Sequence, residues 1–167
     1  MLPSVVVAAS LFVVADKEKD AAALPAAWHG TWAGTMVITP AAGKPTDVPL
    51  VFKVGPLKGT PDLAWVMTYG GGEKAVVKDY KLVPADGKPG RFRIDEGNGV
   101  ALDARLAGGV LYSQFEVGGN LLTARYELRG DVLRFEVTSA KPAEKTGRGQ
   151  VQGYAVEVVQ AAELRKK

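Results

Sequence analysis

The chain has no cysteine and one histidine, His29, in 167 residues. The first absence excludes disulfides, thiol catalysis, cysteine-ligated zinc or iron–sulfur centres, c-type haem attachment and the lipidated cysteine of a bacterial lipoprotein. The second excludes multi-histidine metal sites. Aromatic residues are only 8% of the chain, and the basic excess is small: 21 Lys and Arg against 18 Asp and Glu. The signs are interspersed. Lys/Arg clusters occur only at Arg165-Lys166-Lys167 and across 141–148, both placed as solvated ends or turns, so nucleic acid is not an expected partner. No apolar run reaches the roughly 20 residues that a spanning helix needs, and no helical period of useful length runs through the chain after residue 28.

What is present in quantity is glycine and proline, 20 and 10 residues. Residues 1–15, MLPSVVVAASLFVVA, are uncharged and almost wholly apolar, and Asp16-Lys17-Glu18-Lys19-Asp20 follows at once. The run has the length of a signal-peptide core, with small residues at Val13-Val14-Ala15 for cleavage, although no basic residue precedes it. Export to the periplasm or medium is the resulting expectation, with a buried N-terminal strand or helix as the alternative. Residues 16–27 show no apolar face and are assigned as a linker. The domain is placed at 28–167.

From Trp28 onward short apolar runs alternate with turn residues. Strands are predicted near 29–39, 47–54, 62–69, 74–83, 90–95, 99–106, 110–117, 121–129, 132–139 and 150–160. The separators include Gly70-Gly71-Gly72, Gly97-Asn98-Gly99, Gly108-Gly109, Gly118-Gly119-Asn120 and Gly130-Asp131, which supply the positive φ of tight hairpins. Short links make sequence neighbours pair in space. The fold class is therefore all-β: an antiparallel up-and-down meander of about 8–10 strands. It must bury its apolar face and hide its edges, and closing into a β-barrel does both. The tail Ala161–Arg165 either extends the last strand or forms one turn.

Alternation then sorts the side chains. Leu122, Ala124, Tyr126 and Leu128 share one face, and Thr123, Arg125, Glu127 and Arg129 share the other. Glu116, Glu127 and Glu136 point outward among arginines, where cross-strand ion pairs account for them without invoking a carboxylate pair for glycoside hydrolysis. The inward set carries no charge. Its candidate cavity-lining residues are Phe52, Trp65, Met67, Tyr80, Phe92, Phe115, Tyr126, Phe135 and Tyr154, a surface suited to a small apolar ligand or to a filled core. His29 has no serine near it in sequence, Asp95–Gly99 lacks the spacing of a calcium loop, and Arg129-Gly130-Asp131 is a hairpin turn. No metal, cofactor or catalytic residue is assigned.

Gly30-Thr31-Trp32, inside WHGTWAGTM, resembles the opening signature of lipocalins and their calycin relatives. The resemblance implies a barrel closed by Trp32, with Gly30 permitting the bend and Arg165 laid over the indole as a cation–π partner. The phrases KPGRFRID (88–95) and YELRGDVL (126–133) resemble an uncharacterised lipocalin-like family of planctomycete bacteria, spanning about 28–166. Haem-binding nitrobindin-like relatives share the Gly-Thr-Trp start but ligate iron through a late histidine, and no histidine follows His29 here. The expected function is binding of a small hydrophobic ligand inside an exported, monomeric, non-enzymatic barrel. The alternative is a solid barrel acting as a structural or protein-interaction module.

Overall fold

The computed structural model describes residues 23–85, 87–147 and 149–167; the segment read as a signal peptide lies outside them. Ten strands form: β1 (Gly30–Pro40), β2 (Thr46–Pro56), β3 (Leu63–Tyr69), β4 (Val76–Pro84), β5 (Arg91–Asp95), β6 (Ala101–Ala107), β7 (Val110–Val117), β8 (Asn120–Arg129), β9 (Val132–Pro142) and β10 (Tyr154–Lys166). Each pairs antiparallel with its sequence neighbours, and β1 pairs with β10, so the meander closes into a barrel with no free sheet edge at the seam. The tail extends the last strand as far as Lys166. Turn chemistry drives the connectivity. Both residues of Gly108-Gly109 and of Gly118-Gly119 have positive φ, the backbone that a two-residue hairpin needs and that side chains resist.

One end, which we call the base, holds the start of β1 and the end of β10. A short 3-10 turn at Ala26–Trp28 brings Trp28 and Leu24 under the barrel, both buried in the core. Leu24 falls in the segment read as linker, so the packed unit begins before residue 28. Above it, Trp32, Phe52, Trp65, Leu111, Leu133 and Leu164 are fully buried. Phe52 meets Trp65 edge-on at 4.7 Å between ring centroids, and Trp65 meets Tyr126 at 5.0 Å.

Trp32 is buried at the base, with its Nε1 donating to the Trp28 carbonyl at 2.8 Å. The cation over its ring is Lys166, with Nζ 5.0 Å from the centroid, and not Arg165. The pleat decides this. Leu164 faces inward, Lys166 lies directly opposite Trp32, and Arg165 opposes Ala33 on the outer face. Arg165 instead reaches Asp131 in the β8–β9 turn at 2.7 Å. Gly30, at φ +142°, leaves room for the Lys166 stem: a Cβ there would sit 3.3 Å from Lys166 Cε. Gly34, which the sequence did not single out, lets β1 and β10 close tightly, because a Cβ on it would collide with the Glu163 carbonyl oxygen.

Candidate functional site

The interior of the upper half is hollow, and the register shows why. One inward row runs Phe92, Ala104, Ser113, Ala124, Val137 and Gln160 across β5 to β10, each directly opposite the next. Two adjacent members, Ser113 and Ala124, are small and line the space above the core. Large side chains fill the rows below them, so side-chain volume is missing where these two meet. The result is a cavity of about 300 Å³, at the lower end of the roughly 300–1,000 Å³ of ligand sites.

Tyr126, itself stacked against Trp65 and Phe135, lines the lower part of this cavity. Its walls are Met67, Ile94, Leu102, Leu122, Phe135 and Val137, with Phe115 on β7. Five of the expected lining residues therefore meet there: Met67, Tyr80, Phe115, Tyr126 and Phe135. Phe52, Trp65 and Phe92 are packed as solid core outside the cavity lining. Tyr154 is displaced altogether. A bulge in β10 between Val156 and Val158 inserts one residue into the pairing with β9. Because side chains alternate with period two, that insertion moves Tyr154 and Val156 to the outer face, 40% and 53% exposed.

The inward surface is also less apolar than expected. Lys78, Tyr80 and Leu82 share one face of β4, with Lys78 directly opposite Met67 and lining the cavity. Alternation from Leu82 alone places Lys78 inside. Glu96 and Gln160 line the same space, as do Tyr69 and Ser113. Ser113 donates its hydroxyl to the Asp103 carbonyl at 2.8 Å, which commits it to the wall. The main-chain ladder between β4 and β5 begins at Lys81↔Asp95. Tyr80 and Glu96 occupy the next register position, so side chains close the wall where backbone pairing stops.

The phenols are held protonated. Burial, then the neighbouring Tyr80, pushes the Tyr69 hydroxyl up to about 12. Burial, then Tyr69, raises Tyr126 further. Tyr80 is raised by burial and then by the negative charge of Glu96, to which its hydroxyl is turned. All three are hydrogen-bond donors at neutral pH. Tyr69 donates only to the Met67 sulfur, at 2.9 Å, a weak acceptor. Deeper still, the Trp65 Nε1 is buried with no hydrogen-bond partner.

The outer wall is charged and self-satisfied where the sequence placed ion pairs. Glu127 accepts from Arg125 and Arg129, each at 2.6 Å. Its low exposure comes from those side chains lying over it, not from depth in the protein. The hydrogen bond from Arg129 holds its carboxyl below the usual range, and Arg125 adds to this against some desolvation. Two outer depressions, of about 450 and 500 Å³, are larger than the interior cavity. They are lined by projecting charges such as Arg134, Glu163, Arg91 and Arg105, and are gaps between solvated side chains. Asp95–Gly99 is a hairpin turn, with Gly97 N–H donating to Asp95 Oδ1. His29 lies below β1, its Nε2 buried and unpartnered, while Ser113 stands on β7. Among the described residues no three His, Asp or Glu side chains gather to hold a metal, and no helix is long and apolar enough to cross a membrane.

A scan against protein-family models and a search of curated proteins find no match to the chain. Solved structures do match in fold. The S-type phycobiliprotein lyase CPES from Guillardia theta superposes with a TM-score of 0.60 at 10% identity, covering 84% of this chain and 89% of that one. A protein of unknown function from the DUF3598 family of Nostoc punctiforme gives 0.55 at 14%, covering 83% of this chain but only 47% of its own. Rv2717c from M. tuberculosis gives 0.54 at 15%, covering 85% and 94%. At these identities the likeness is one of fold, that of the closed ten-strand antiparallel barrel. One expectation is overturned. The barrel was read as non-enzymatic because the sequence shows no catalytic constellation, yet a lyase is built on this fold. The architecture therefore gives no ground for excluding an enzyme-like role.

Proposed function

We propose that this protein binds a small, largely apolar molecule in the upper half of the barrel. The adjacent small pair Ser113 and Ala124, both on the cavity wall, carries this reading. A barrel with only a structural task gains stability by filling its interior, since tight packing maximises dispersion contacts. Here the lower rows are filled by large side chains while two neighbouring positions, Ser113 and Ala124, hold small ones on the wall of a space of about 300 Å³. The open end agrees with ligand entry. Val76, Val77, Val100 and Val117 are exposed there, at the start of β4, in the β5–β6 turn and at the end of β7. The fold shared with a phycobiliprotein lyase is compatible with such an interior.

The test fills the space. Uptake of the uncharged fluorescent probe N-phenyl-1-naphthylamine is measured for the wild type and for Ala124→Phe. Binding by the wild type and at least tenfold weaker binding by a variant with native circular dichroism is the expected outcome. If the wild type takes up no probe, or the variant binds as well, the cavity is not the site.

A further inference from the structure

Donors outnumber acceptors in the polar part of the cavity. We propose that the ligand is an amphiphilic acid, its apolar body on the small-residue pair and its anionic end beside Lys78. The proposal rests on the cavity being the binding site and adds the chemistry of what fills it.

Lys78 is the cation among the described lining residues, and it faces inward from β4 opposite Met67. None of the ion pairs among the described residues involves it. Lys78 is exposed, so its ammonium stays hydrated there and is available to the end group of a ligand. Glu96, the carboxylate among the same residues, does not supply the pairing. It occupies the register position facing Tyr80 and interacts with that hydroxyl. Tyr69 and Tyr126 also line the space as protonated donors. The Tyr69 hydroxyl spends its proton on a thioether, a weaker acceptor than an oxyanion. An ammonium and under-used phenol donors above an apolar chamber are the complement of a carboxylate on a hydrocarbon body. A cationic ligand would meet Lys78 directly, and a neutral one would gain no charge-assisted contact from it.

The experiment uses three ligands of one chain length, decanoate, decanol and decylamine, displacing N-phenyl-1-naphthylamine from the full chain. Decanoate should bind at least tenfold more tightly than decanol, with decylamine the weakest. Lys78→Met should reduce the acid's advantage to less than threefold, and Lys78→Arg should preserve it. Lys78 is exposed, so both variants are expected to fold as the wild type. Equal binding of decanol and decanoate by the wild type overturns the proposal, as does an advantage that survives Lys78→Met. If the probe binds and Ala124→Phe blocks it while the acid shows no preference, this inference fails alone. If the wild type takes up no probe, the cavity reading fails and this inference falls with it.

Discussion

The lower and upper halves of the barrel use the same strands for opposite ends. In the lower half Trp28, Trp32, Phe52, Trp65, Leu111, Leu133 and Leu164 leave no space, and the solvent-side end is sealed by an indole under a lysine. In the upper half the adjacent small residues Ser113 and Ala124 open a chamber, and polar groups stand at its walls. A closed barrel gets its connectivity from turns and its shape from strand pairing. Whether its interior is core or cavity depends on side-chain volume at one level of the pleat. Stability can then be concentrated at one end, leaving the other free to serve a ligand.

Breaking the solid half should have the largest effect. Trp32→Ala removes a buried indole and its hydrogen bond to the Trp28 carbonyl. We expect a loss of about 3–5 kcal/mol in denaturant unfolding. A near-wild-type midpoint would mean that the base does not carry the fold. The same seal tells Lys166 from Arg165. Lys166→Ala should cost about 0.5–1 kcal/mol through the lost cation–π contact. Arg165→Ala should cost less, since an exposed ion pair to Asp131 contributes little. The reverse order would restore Arg165 as the closing cation.

The hollow half should show itself at high pH. Tyr69 titrates near 12 when folded and near 10 when unfolded. Below pH 10 both states keep the proton, and its contribution to stability is fully present. As pH rises from 10 to 12 the unfolded chain releases the proton first, so stability falls through that window. Melting temperatures measured from pH 9 to 12 should drop more steeply for the wild type than for Tyr69→Phe. Parallel curves would place the hydroxyl in water instead of in the buried wall.

Much of this was legible in the sequence. The glycine pairs marked the hairpins, and alternation sorted Leu122, Ala124, Tyr126 and Leu128 inward while leaving Glu127 to Arg125 and Arg129. Alternation carried on along β4 would also have placed Lys78 inside, and carried past Leu164 it would have chosen Lys166 over Arg165. Those two were readable from the residues. Tyr154 was not: the bulge at Val156/Val158 depends on how β9 meets β10 above their shared core, and one inserted residue reverses the faces beyond it. Nor could the void be read, because Ser113 and Ala124 are unremarkable on their own strands and become a chamber wall only when the register sets them side by side.

The sequence by itself determined the all-β meander of about 8–10 strands and the inward face of most of them, because turn residues and period-two patterning are local properties of the backbone. Only the tertiary structure decided which strands close the barrel, which cation covers Trp32, and that the upper half is empty. These depend on register, which fixes the level at which residues far apart in the chain meet, and so on the sum of volumes that no single strand contains.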